Sequence, residues 1–199
     1  RAHGGGMPPD VHILFANTGR ERGETLAFVE ACARAWAVQV HWLEFRDADP
    51  SFVEVNFSTA SRQGEPFATL IRKRKFLPNP VTRFCTQELK IRVMKHWMQA
   101  QGYKHWTNVV GIRADEPRRV ARLMDPSRNR ECWDNAAPLA EAGIAKADVD
   151  TFWASQPFDL QLLPHEGNCD LCFLKGYQKK LRIIEDRPAV RPAPLDALP

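Results

Sequence analysis

Three groups of residues in this sequence have types and spacings that suit chemistry. The first is built on thiols. Cys169-Asp-Leu-Cys172 is a C-x-x-C turn, which lets two thiolates point at one centre and suits metal, cluster or redox work. Cys85, in Thr82-Arg-Phe-Cys85-Thr-Gln-Glu-Leu-Lys90, falls where a long helix should start. A helix N-terminus and the neighbouring Arg83 both favour a thiolate there. Thiolates at Cys85, Cys169 and Cys172 would ligate three irons of a [4Fe–4S] cluster, leaving the remaining iron open to a sulfur atom or a substrate. Zinc is the rival metal, because the same thiolates bind it tetrahedrally. Cys132 is a candidate fourth ligand without local support, and Cys32, inside a helical pattern, reads as packing. His165 is a candidate for a polar contact near Cys169. The plainest alternative for the Cys169/Cys172 pair is two small apolar side chains buried under a loop.

The second group is Asn17-Thr18-Gly19-Arg20-Glu21. It follows a predicted strand and precedes a predicted helix. Ligands of open α/β sheets bind in the crevice at strand carboxyl ends, and a helix start offers free N–H groups to an anion. An ordinary strand-to-helix turn fits equally well. The third group is Gly111-Ile-Arg113-Ala-Asp115-Glu116-Pro-Arg118-Arg119, after another predicted strand. Glycine lets the backbone approach a ligand closely. Arginine forks oriented by carboxylates suit phosphate or sulfate. The alternative is a solvated charged loop.

The elements that must position these groups follow from periodicity. Residues 11–16 form a short apolar run that predicts a buried strand. Thr18 and Glu21 have capping-box spacing, and Leu26, Val29, Ala33 and Trp36 then recur at helical intervals. Residues 38–45 alternate as a second strand. Strand, helix and strand at these lengths form a βαβ unit and predict a parallel sheet. Residues 46–64 show no period and read as a long loop. A basic helical stretch with Arg72-Lys73-Arg74-Lys75 ends at Pro78 and Pro80. Residues 84–100 predict a helix with Leu89, Val93 and Trp97 on one stripe, and 107–112 a strand. Residues 146–154 predict a short helix with Val149, Phe152 and Trp153 inward. A last helix is expected over 174–185. The Pro-rich tail over 187–199 reads as disordered.

The bulk numbers exclude little but set the frame. A hydrophobic share of 44% in 199 residues is enough for one α/β domain, expected over 1–186, with two small ones as the lesser alternative. The net charge of +4 permits an anionic partner without requiring one. An odd count of 5 Cys and no visible secretory leader favour reduced thiols or metal ligands over disulfides, hence a cytoplasmic setting. No apolar run reaches the roughly 18 residues of a membrane span.

Taken together, the three groups resemble the phosphoadenosine-phosphosulfate (PAPS) reductase family, part of the larger PP-loop, adenine nucleotide alpha-hydrolase-like superfamily. The resemblance covers roughly residues 10–180. Phe15-Ala-Asn-Thr-Gly19 with Glu24-Thr25 is similar to the family's DTG…ET segment, with Asn17 in place of Asp. Gly111-Ile-Arg113-Ala-Asp115-Glu116 is similar to its GIRxDE segment. Arg-Phe-Cys85-Thr-x-x-Leu-Lys90 with Cys169-x-x-Cys172 resembles the cluster-binding cysteines of some members. The resemblance implies a Rossmann-like parallel sheet flanked by helices. It implies an adenine nucleotide, ATP or an adenylyl sulfate, bound by Asn17, Thr18, Gly19, Gly111 and Arg113. It also implies an anion site served by Arg113, Glu116 and Arg119, and a [4Fe–4S] cluster on Cys85, Cys169 and Cys172. The family's phosphate loop, a Ser-Gly-Gly segment after the first strand, would lie upstream of Arg1. The assimilatory reductases carry a terminal catalytic Cys in an ECGIH-like segment, which these residues lack, so sulfur activation or transfer ranks above PAPS or adenylyl-sulfate reduction. The acceptor could be a nucleic acid, which the basic stretch at 72–75 would permit. The competing class is a non-catalytic module with a structural zinc that docks on nucleic acid through its basic residues.

Overall fold

The computed structural model describes residues 7–163, 165–169 and 171–187. The chain is a mixed α/β protein that folds as two compact units. One holds residues 7–97 together with the described residues from 160 onward, and the other is Met98–Asp159.

The first unit is built on the expected strand-helix-strand. Strand β1 (Ile13–Asn17) leads to helix α1 (Gly23–Ala35), which returns to β2 (Val40–Phe45). β1 and β2 pair in parallel, with Ile13 opposite Val40 and Asn17 opposite Glu44. β2 is the central strand because a third strand, β3 (Phe52–Val55), pairs with it antiparallel. The loop expected over 46–64 therefore contains a strand, and the sheet is mixed. Two-sided burial of β2 follows from its sequence. Trp42 packs with Leu26 of α1 and Ala60, and Phe15 and Phe57 pack against that cluster. On the opposite face, His41 lies 4.5 Å from the Trp97 ring, and the Lys73 ammonium sits over the Phe45 ring.

Helix α2 (Glu65–Arg74) carries the basic stretch and ends at Lys75 in a left-handed conformation. The long helical run expected over 84–100 is present in three parts. α3 (Phe84–Thr86) opens it, a wider π-helical turn spans Gln87–Ile91, and α4 (Arg92–Ala100) completes it. Leu89, Val93 and Trp97 are all buried, as the stripe requires. Each such side chain contributes about 1.5–3 kcal/mol by leaving water. The last helix, α8, begins at Tyr177 and ends at Asp186. The proline-rich tail lies outside the described residues.

In the second unit, β4 (Trp106–Val109) pairs in parallel with β5 (Trp133–Ala136), and the Trp106 and Trp133 rings stack at 5.3 Å. Between them runs α5 (Pro117–Met124), and after them come α6 (Pro138–Glu141) and α7 (Lys146–Ala154). The inward placement expected for Phe152 does not hold: it is 46% exposed. Its ring instead meets the edge of Trp153 on the unit's surface, 5.1 Å away. Among the described residues no helix is long and apolar enough to cross a membrane.

Candidate functional site

The turn after β1 is built from side chains that satisfy one another. Asn17 is fully buried. Its amide donates to Glu44 Oε1 at 2.6 Å and to the Ser61 carbonyl at 2.8 Å, while its oxygen accepts from the Gly19 N–H. Ser61 donates to the same Glu44 carboxylate through its N–H at 2.7 Å and its hydroxyl at 2.6 Å. A buried carboxylate is tolerable only with such donors around it. Gly19 has φ +73°, and a Cβ there would come within 2.9 Å of the Gly64 backbone. Both the left-handed conformation and the close approach demand glycine.

Thr18 and Glu21 do meet, but not as a helix cap. The Glu21 carboxylate accepts from the Thr18 N–H and hydroxyl, both at 2.7 Å, whereas α1 starts two residues later with Arg22 at its N-cap and no side-chain cap bond. The pairing closes a turn ahead of the helix. Asn17, Thr18 and Gly19 are thus spent inside the chain and shape the turn, leaving Arg20 exposed at its rim.

Glu21 connects this turn to the cysteines. Its other oxygen pairs with Lys90 at 3.0 Å, with the Glu21 side chain only 1% exposed. Its backbone forms an isolated antiparallel bridge with Cys169. One residue on, the Arg22 N–H donates to the Asn168 carbonyl at 3.0 Å, and the buried Arg22 guanidinium pairs with the buried Glu166 carboxylate. The loop bearing Cys169 and Cys172 is therefore pinned to the start of α1. Lys175 donates to the Cys169 carbonyl.

Cys85 approaches the same cation. Cys85 lies in α3, just ahead of the π-helical turn that carries Lys90, and its charge acts on the Lys90 ammonium. Burial alone would push the Lys90 ammonium down, but Glu21, Cys169 and Cys85 together hold it above its ordinary value. Burial pushes the Cys169 thiol up to about 11, with the Glu21 carboxylate adding to it and Lys90 opposing. Cys172 lies close enough to Cys169 for their charges to interact. Lys90 thus feels thiols from two distant parts of the sequence. In donor type the three suit a thiophilic metal or cluster. Among the described residues, however, no three His, Cys, Asp or Glu side chains are already gathered as a metal site. His165 turns away to Asp186 of α8, at 2.9 Å. Cys32 on α1 has its thiol raised by burial, as packing implies.

The arginine loop lies in the second unit, as does Cys132. Arg113 Nε donates to Asp115 at 2.9 Å, and its backbone N–H donates to Glu116. Arg119 pairs with Glu116, and the Arg119 guanidinium holds the Glu116 carboxyl below the usual carboxylate range. Asp115 also accepts from the Lys146 N–H, which ties the loop to α7. A methyl group at Gly111 would meet only Leu139, at an ordinary 3.9 Å, so nothing among the described residues requires that glycine.

In the sequence Glu21 reads as a capping-box partner of Thr18 and Lys90 as the end of the Cys85 motif, but neither reads as a partner of the other. Lys90 sits five residues after a candidate ligand on the same helix, which was the available signal. Pairing across the 69 positions that separate it from Glu21 was not readable.

Over 181 residues, 85% of its length, the chain is 32% identical to the "uncharacterized nin region protein ORF290" of Escherichia phage lambda, and it spans 58% of that protein. No family model matches the chain. No solved structure matches it.

Proposed function

We propose that this chain is a PAPS reductase-like enzyme of the PP-loop superfamily that binds an adenine nucleotide and activates or transfers sulfur at a cysteine-bound [4Fe–4S] centre in the cytoplasm. The observation that carries the reading is Glu21. It closes the turn at the carboxyl end of a parallel strand, pairs with Lys90, and lies against Cys169. A turn suited to nucleotide and a set of thiols suited to a metal thereby share one buried carboxylate. The parallel β1-α1-β2 unit supports a Rossmann-like sheet, since its crevice lies at the same strand ends.

Cys85, Cys169 and Cys172 would hold the cluster, with the Cys169/Cys172 turn closing toward Cys85. When bound, the cluster supplies an iron without a protein ligand, at which sulfur can be carried. Lys90 balances thiolate charge, and Glu21 holds Lys90 in place. The Asn17–Gly19 turn fixes the backbone over which the nucleotide lies, and Arg20 stands at its rim. Within the second unit, Arg113 and Arg119, oriented by Asp115 and Glu116, are suited to hold an anion.

Calorimetry tests the nucleotide half directly. ATP or adenylyl sulfate titrated into the chain should give saturable heat, weakened at least tenfold by Arg113→Ala with Arg119→Ala. No heat with either nucleotide, alongside a single bound zinc, would instead favour a structural metal module.

A further inference from the structure

Net charge is not spread evenly over the first unit. Arg72, Arg74, Lys75 and Arg83 fall where α2 ends and α3 begins, and of these only Arg74 has a carboxylate partner among the described residues, Glu88, which it shares with Arg92 of α4. The neighbouring Lys73 is neutralised by Asp47. Arg72 donates to the Thr69 hydroxyl, and Arg72, Lys75 and Arg83 have no carboxylate partner among the described residues.

The same segment leaves apolar side chains in water. Phe76 is 47%, Leu77 66% and Val81 91% exposed. The Phe76 ring and the backbone around Val81 have partners within the segment. Phe76 packs edge-on against Phe84 at 5.0 Å. Asn79 Oδ1 accepts from the Val81 and Thr82 N–H groups at 3.0 and 2.9 Å, and Pro78 is buried. Exposed apolar side chains among unneutralised cations suit a partner that is both anionic and apolar.

We infer that residues 72–84 dock an unpaired strand of nucleic acid, which offers phosphates to Arg72, Lys75 and Arg83 and base faces to Phe76, Leu77 and Val81. Sequence-tolerant single-strand binding uses this combination of cations and apolar stacking surfaces. A duplex hides its base faces and would leave the three apolar side chains wet. Cys85 follows Phe84 directly, so the bound strand lies beside the thiols. The docking does not depend on the proposed function.

The test is fluorescence anisotropy with a labelled 20-nucleotide single strand, its duplex and anionic-lipid vesicles, using the chain free of metal and nucleotide. The single strand should bind more tightly than the duplex, and affinity should fall steeply with salt. Arg72→Glu with Lys75→Glu should weaken binding at least tenfold and flatten the salt dependence by about 0.7 in log–log slope per lost phosphate contact. Phe76→Ser, Leu77→Ser and Val81→Ser together should weaken binding while leaving that slope in place. Unchanged melting temperatures would show that both variants fold. Failure of the single strand to bind at low salt, equal binding by the charge variant, tighter binding to duplex, or binding to vesicles alone would each overturn the inference. Metal content and nucleotide heat are separate readouts, so either proposal can fail without the other.

Discussion

Asn17 shows how one atom can decide a residue type. Its amide nitrogen lies 2.6 Å from the Glu44 carboxylate, inside a fully buried network. The family that the turn resembles has Asp there; in this chain an Asp would set two carboxylates against each other without water. Asn17→Asp should cost about 2–4 kcal/mol at pH 7. Because the pair would hold a proton more tightly folded than unfolded, the loss should shrink as pH falls from 7 to 5, measured as urea midpoints. Cys169 gives a second expectation. With its thiol at about 11 rather than 9.0, roughly a hundredfold less thiolate is present at pH 8 than in an ordinary cysteine. In the metal-free chain it should alkylate correspondingly slowly, as mass spectrometry of modified peptides would show. A thiol reacting at the ordinary rate would mean that the loop is open. Cys169 and Lys90 both hold protons more tightly when folded. For Cys169 this contribution to stability is complete below about pH 9 and is lost as pH rises through about 11; for Lys90 it is complete below the ordinary lysine range and is lost at pH above it.

Among the elements, the loop carrying Cys169 and Cys172 depends on α1. Arg22 and Glu166 are 4% and 6% exposed at their side chains, so removing the arginine strands a buried carboxylate. Arg22→Ala should cost about 3 kcal/mol or more and speed Cys169 alkylation, whereas Arg34→Ala, at an exposed pair on the same helix, should do neither. The elements also show what sequence could reveal. The Leu89–Val93–Trp97 stripe was legible because all three positions share one helical face and that face is buried. The π-helical turn within it was not, since no residue type marks it. β3 was hidden because Val53 and Glu54 both face water and its pairing with β2 is set by partners about ten residues away. β5, Trp-Asp-Asn-Ala, is poor in strand formers and exists through its pairing with β4. The Thr18/Glu21 spacing was real, but the pair closes a turn before the helix instead of capping it.

At the scale of the molecule, the α/β class and the first βαβ unit were readable from periodicity, while chain length left two units only as the lesser alternative. The C-x-x-C turn and Cys85 were visible as chemistry, but their relation to each other came only with Lys90, which feels both Cys85 and Cys169. The second unit holds the arginine loop, whose charges are paired among themselves. A metal centre on Cys85, Cys169 and Cys172 is the claim on which the sulfur chemistry depends, and elemental analysis of the anaerobically purified chain addresses it most directly. The account expects a brown protein with about four irons and matching acid-labile sulfide per chain, and none when Cys85, Cys169 and Cys172 are each replaced by Ser. A colourless chain with one zinc, or iron that survives those replacements, would contradict it.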